Sequence, residues 1–392
     1  MTQPKIKALR ALTVKGGGGD YHDQESGHWI DGRIATPMSK YPAYRETRNS
    51  FGLNVLGSLV IEIEAEDGTV GFGVTTGGEI GALIAETHLA RFVEGRTLDE
   101  IEIIWDQMFN ATLFYGRRGI VLNVISGIDL ALWDLLGRMR QEPIWQLLGG
   151  KFHDELTFYA TGPRPDIAKE LGFIGGKMPL MYGPADGEEG LALNIGALGE
   201  MRARVGPDFW LMYDCWMALD LDYATRLAEG CLPHDLKWIE EPLLPDDYWG
   251  YGDIRQRLGG KTWVTTGEHE ATRWGFRMLI EMGCCDMIQP DVGWCGGLTE
   301  LRRISALADK AGLPVIPHGS SVYSYHFVTT CANSPFAEFL MMAPAADRVV
   351  PMFNPLLLNE PLPENGRLKV PDTPGFGVEL NRSLALTRPL AR

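Results

Sequence analysis

From about residue 151 the sequence repeats one rhythm: a short apolar run, then a stretch with helical spacing, about every 25 residues. Eight runs carry it: LTFYATG (156–162), GFIGGKMP (172–179), FWLMYDCW (209–216), LKWIEEP (236–242), TWVTTGE (262–268), CDMIQPDVG (285–293), LPVIPHG (313–319) and FAEFLM (336–341). Strands buried on both faces read as continuous apolar runs, and parallel neighbours need helical crossovers between them. Eight such units predict an α/β fold, a modified (β/α) TIM-type barrel over residues 149–345. The residue-level self-similarity is too weak for a solenoid.

The chain before the barrel has a different texture. Residues 5–15 alternate in β fashion and stop at Gly16–Gly19. Residues 20–52 are polar, aromatic and rich in Gly and Pro, which predicts a long ordered loop of the kind that covers enzyme sites. SLVIEIEAEDGTVGFG (58–73) reads as a hairpin about Asp67-Gly68. Residues 80–94, 98–111 and 123–139 have helical spacing. Residues 1–148 therefore form an α+β module. The tail VPDTPGFGVELN (370–381) has turn chemistry and is expected to be irregular.

The formal net charge is −15, from 36 basic and 51 acidic residues. Such a surface disfavours nucleic acid and anionic membrane as partners, and an anionic substrate would need a local cationic pocket. The N-terminus has no apolar core of signal-peptide length, and no run approaches the length of a membrane span. The six cysteines show no paired spacing, which fits reduced thiols in a cytoplasmic protein.

In a β/α barrel the chemistry sits at the C-terminal ends of the strands. Here the third run ends near Asp214, the fourth at Glu240, the fifth at Glu268, the sixth at Asp291, the seventh at His318 and the eighth near Glu338. Asp214, Glu240 and Glu268 are spaced by 26 and 28 residues, one βα unit each. Carboxylates from three successive strands suit a hard cation such as Mg²⁺, and no Cys/His cluster has zinc spacing. Glu241 follows Glu240 and is expected to point to the opposite face of its strand. His318 can act as a general base near neutral pH, with Asp291 one strand earlier to accept its other ring N–H. Together these groups suit removal of a proton α to a carboxylate. That step creates an ene-diolate, whose second negative charge needs a divalent cation nearby.

ISGIDLALWDLLGR (125–138), WIEEP (238–242), QPD (289–291) and PGFGVEL (374–380) resemble signatures of the mandelate-racemase-like branch of the enolase superfamily. That superfamily uses Mg²⁺ with a Lys or His base. The resemblance implies a capping domain, residues 1–148, completed by a C-terminal segment, residues 346–392, that returns to it from the barrel. A finer set of motifs, including GGGDYHDQ (17–24), ATPMSKY (35–41), FIGGKMP (173–179), QPDVGWCGGLT (289–299) and LLNEP (357–361), is similar to the family of L-rhamnonate dehydratases. By that resemblance Asp214, Glu240 and Glu268 bind Mg²⁺, and His318 with Asp291 forms the acid/base dyad. Glu338, protonated or paired, lies at the substrate carboxylate. His22 and Arg48 reach over the site from the long N-terminal loop, and His269 is a further polar contact. The family also implies a homo-oligomer, an octamer among the options.

Two departures from the broader branch matter. Relatives often carry K-x-K at the end of the second barrel strand, where the second lysine is a base. Here the run reads Lys177-Met178-Pro179, and proline does no acid/base work, which disfavours a hydroxy-acid racemase. Lys177 would offset negative charge. Trp216 stands where relatives often have a polar or basic residue, and either packs on an apolar part of the substrate or belongs to the core. The implied reaction takes L-rhamnonate, a small acid sugar, to its 2-keto-3-deoxy product plus water. Dehydration of another aldonate, such as lyxonate, mannonate or gulonate, stays open, as does a non-catalytic sugar-acid-binding barrel.

Overall fold

The computed structural model describes residues 4–14, 27–48 and 56–390. Strands β1 (Ile6–Val14), β2 (Ser58–Ala65) and β3 (Val70–Thr76) form an antiparallel meander. The expected hairpin is β2–β3, with Gly68 at a φ of 86° in its turn. The two-residue strand Leu386–Thr387 pairs with β1, Thr13 opposite Thr387, so the chain's end joins the first sheet. The tail is less irregular than its turn chemistry suggests: Glu379–Leu380 also pairs with Leu357–Leu358.

The barrel sheet is parallel except for the short strand Arg367–Leu368, which pairs antiparallel beside Leu156 and Thr157. It contains β4 (Leu156–Thr161), β5 (Gly175–Pro179), β6 (Trp210–Asp214), β7 (Leu236–Glu240), β8 (Trp263–Thr266), β9 (Met287–Ile288) and β10 (Ala337–Leu340). Their order is β10-β4-β5-β6-β7-β8-β9, a curled sheet with helices between successive strands. The seventh run makes no strand of its own. Val315 forms a single bridge with Ile288, and Ile316 N donates to Ile288 O at 2.9 Å. Pro314 and Pro317 flank that pair and have no N–H to extend the ladder. The fold class holds; one of its eight rungs is reduced to a bridge.

Strand alternation explains how the barrel interior is divided. Two residues below Asp214 is Met212, below Glu240 is Trp238, and below Glu338 is Phe336. Met212, Trp238 and Phe336 pack with Tyr159, Met287 and Ile316 in an apolar floor. Tyr159 meets Trp238 edge to face at 5.1 Å between centroids. A dry floor below thus carries a layer of charged groups above. Outward residues face the helices: the Tyr213 hydroxyl donates to Asn194 O at 2.6 Å.

The helix Ile120–Arg140 fastens the first sheet to the barrel. Its length and mean hydropathy of 1.6 would suffice to cross a bilayer, yet 94% of that apolar window is buried in protein. It lies so close on β3 that a Cβ at Gly73 would meet Gly127 O at 2.4 Å, and one at Gly71 would meet Leu135 N at 2.3 Å. Its polar side chains reach the loop after β9: Ser126 Oγ accepts from Gly296 N and Asp129 Oδ2 from Thr299 N, both at 2.9 Å. Asp134 accepts from Phe72 N and Phe376 N, both at 3.1 Å, and from Arg138 at 2.7 Å. One helix therefore binds β3, the barrel and the returning tail.

Two outcomes follow. Gly73→Ala drives a methyl into helix backbone that cannot yield, and should lower unfolding stability by about 1–3 kcal/mol in denaturant titration. Buried His326 accepts from Trp145 N at Nδ1 and faces Phe376 O with Nε2, the neutral tautomer. Burial lowers its pKa to about 3. The unfolded chain takes up that proton below about pH 6.5 while the native state resists until about pH 3, so this histidine costs stability as pH falls through that window. His326→Asn should flatten the pH dependence of stability between pH 6.5 and 4 relative to the parent protein.

Candidate active site

The charged layer centres on Lys177, fully buried in the middle of β5, two residues before the strand end at Pro179. Its Nζ lies 2.8 Å from Glu338 Oε1 and 3.3 Å from Asp214 Oδ2, and it donates to Glu240 Oε1. Pro179, Asp214 and Glu240 are register partners across β5, β6 and β7, which lines up these strand ends. Glu240 is also held by Gln289 Nε2 at 2.5 Å and Trp238 Nε1 at 3.3 Å. Glu338 accepts from Thr161 Oγ1 at 2.5 Å and Gly319 N at 2.7 Å. Burial opposes its ionisation, but Lys177 and His318 overcome that and pull its pKa down to about 2. Of the two states expected for Glu338, the geometry is the paired one.

The second half of the layer is the dyad. His318 Nδ1 lies 2.7 Å from Asp291 Oδ2, and its Nε2 lies 3.4 Å from Glu268 Oε1. Asp291 is itself fixed by Gly293 N at 2.6 Å and by the Ser320 hydroxyl at 3.0 Å. The indole of Trp294 stacks on the His318 ring at 5.6 Å and 29°. Burial disfavours the imidazolium, yet the charges of Glu268, Glu338 and Asp291 push the pKa of His318 up to about 10.

Glu241 corrects the sequence-based expectation that it faces away from this layer. Its φ is 41°, so the strand's alternation ends at Glu240. The carboxylate instead lies 2.6 Å from His269 Nδ1 and shares the rim with Glu268. Atoms of Glu241, Glu268 and His269 able to hold a metal ion all fall within 4.8 Å of one another. Trp216 and Met217 also have positive φ, 46° and 59°. Left-handed backbone costs roughly 1–2 kcal/mol per residue and persists where the surroundings hold it.

The other expected residues divide as follows. Arg48 is buried, its guanidinium 4.2 Å from the ring centroid of Trp216. The segment carrying it lies on the barrel rim: Ala35 N donates to Leu180 O at 2.8 Å and Trp29 Nε1 to Met341 O at 2.8 Å. His22 lies outside the described residues. Gln289, Thr161, Ser320 and Trp294 were not singled out from sequence. Gln289 stands in the QPD motif, Trp294 two residues past QPDV, Thr161 at the end of the first apolar run and Ser320 just past the seventh, the local signals each offers.

The donor set suits a hard divalent cation. Burial raises Asp214 to about 6, Glu240 to about 7, and Glu268 above its ordinary value, with Lys177 only partly offsetting the first two. Carboxylates this crowded favour an added positive charge, and all the acidic donors are oxygens. Asp214 and Glu240 meet at Lys177, whereas Glu268 stands beside His318 and Glu241.

Comparison with known proteins is in accord with this geometry. Residues 169–384 match the enolase C-terminal domain-like family, and residues 53–149 match the mandelate racemase/muconate lactonizing enzyme N-terminal domain. A rhamnonate dehydratase from Gibberella zeae, solved in complex with Mg, is 47% identical over 98% of this chain and 95% of its own, with a TM-score of 0.95. A second structure, of L-rhamnonate dehydratase from Gibberella zeae, is 45% identical over 98% of this chain and 95% of its own, with a TM-score of 0.92. The 3,6-anhydro-D-galactonate cycloisomerase of Zobellia galactanivorans is 27% identical over 97% of each chain, with a TM-score of 0.76. The chain belongs to the enolase superfamily, in its mandelate racemase branch.

Proposed function

We propose that this protein is an Mg²⁺-dependent hydro-lyase that converts L-rhamnonate to 2-keto-3-deoxy-L-rhamnonate and water. The observation that carries the reaction class is the buried dyad, with His318 Nε2 turned toward the carboxylate layer while Asp291 occupies Nδ1. The substrate rests on the likeness to the Gibberella zeae enzymes.

Asp214, Glu240 and Glu268 would hold the metal, with Glu241 and His269 beside them. When bound there, Mg²⁺ supplies positive charge against the substrate carboxylate and against Glu268, which otherwise keeps His318 protonated. His318 takes the C2 proton through Nε2, and Asp291 keeps the ring oriented. The same histidine returns a proton to the departing C3 hydroxyl, so H and OH leave from one face. The enol then tautomerises to the 2-keto-3-deoxy acid. Trp294 restricts the ring of His318, and Ser320 restricts Asp291. Lys177 is fully engaged by three carboxylates and held well above its ordinary pKa, so it serves as a fixed charge rather than as a second base for racemisation. Arg48, with His22, would meet the substrate from the N-terminal loop.

The same reading assigns residues 1–148 to a capping domain, 149–345 to the barrel and 346–392 to the segment returning to the cap. It describes a cytoplasmic homo-oligomer, an octamer by the family's habit, with neither nucleic acid nor membrane as partner. Exposed Phe114 and Trp249 support contacts between copies.

A panel of acid sugars with Mg²⁺, read as 2-keto-3-deoxy product, should give L-rhamnonate as the best substrate, with activity lost in EDTA and restored by Mg²⁺. Preference for another aldonate would keep the chemistry and overturn the substrate. His318→Asn should retain Mg²⁺ binding by calorimetry and lose at least about 10³-fold in kcat, together with C2 hydrogen–deuterium exchange. Residual exchange near the parent rate would remove His318 from the mechanism.

A further inference from the structure

The turn that follows Asp214 is held by the neighbouring strand end. Cys215 N donates to Glu240 O at 2.9 Å, Met217 N to Glu241 O at 2.6 Å and Leu219 N to Pro242 O at 2.9 Å. Trp216 N turns back to Asp214 Oδ1 at 3.3 Å. These bonds hold Trp216 and Met217 in the left-handed region, where neither residue type settles by preference. What the turn delivers is an indole face, and the guanidinium of Arg48 rests on it. Arg48 is only 1% exposed, and a cation over an indole is attracted most strongly where water is excluded. Other attachments of segment 27–48 lie elsewhere on the rim, among them Arg33 to Asp186 at 2.5 Å. Trp29 N donates to Pro344 O at 3.0 Å, the His28 ring meets Met342 O at 3.0 Å, and Ala35 bonds beyond β5.

We propose that Trp216 is a positioning residue: its ring sets the guanidinium of Arg48, so that recognition of the acid sugar depends on the turn that also carries Asp214. The substrate named here rests on the proposed function; the positioning itself does not. Ring and guanidinium are both planar, with the guanidinium carbon 4.2 Å from the ring centroid, and the N–H groups of a guanidinium are donors of the kind that bind a carboxylate or hydroxyl. An aliphatic side chain at 216 would fill space without holding that plane.

Two measurements test it. In ligand-free protein, hydrogen exchange of residues 27–48 should speed up in Trp216→Leu, most at the Arg48 end, and return most of the way in Trp216→Phe. With L-rhamnonate, Trp216→Leu should raise KM about tenfold and change kcat less than about threefold, the loss of a desolvated cation–π contact. Trp216→Phe should recover most of that loss. Adding Arg48→Ala to Trp216→Leu should bring KM no higher than Arg48→Ala alone, because the two act as one unit. Additive effects on KM, or a raised KM with unchanged exchange, would assign Trp216 a direct contact with substrate and overturn the proposal. Altered exchange in a protein that turns over no acid sugar would uphold the positioning and remove the substrate assignment. Trp216→Met replaces the leucine variant if that one does not fold.

Discussion

The site is organised around a single buried ammonium. A lysine at the dry centre of a barrel would ordinarily lose its proton, because burial penalises charge. Lys177 keeps it because Asp214, Glu240 and Glu338 converge on Nζ from three other strands. The reverse holds as well: none of those acids has enough solvent to remain ionised unaided. The cluster is therefore interdependent, and its net charge is negative before any substrate arrives. This imbalance favours a divalent cation, and an anionic ligand at the site would need further positive charge nearby.

Positioning that cluster is the work of strand alternation. The residues two below the acids are large and apolar, so the floor is sealed by Met212, Trp238 and Phe336 while the acids stand on the open side. A one-residue shift in any strand would exchange floor and layer. Pairing of Pro179 with Asp214 and of Asp214 with Glu240 fixes the shift across three strands at once.

Much of this was legible in the sequence because period-two patterning and strand ends are local properties. The acids and His318 announce themselves at the ends of apolar runs. The reading failed where backbone geometry departs from its repeat. Two prolines reduce the seventh run to a bridge, and a positive φ at Glu241 turns a side chain expected outside into the rim. The roles of Ser320, Thr161 and Trp294 were hidden for another reason. Their partners lie on other strands or loops, and nothing in a hydroxyl or an indole says which acid or ring it will meet. The tail's pairing with β1 spans nearly the whole chain, beyond any local pattern.

The close seat of helix Ile120–Arg140 on β3 has a dynamic consequence. Contacts made backbone to backbone through glycine leave no side chains to slide over one another, and the bonds from Ser126 and Asp129 fasten the same helix to the barrel. Among the described residues, this helix couples the first sheet to the barrel without a hinge along its length. Two units coupled in this way favour access by loop-scale motion, which runs on the nanosecond to microsecond scale, over the slower closure of one domain upon another.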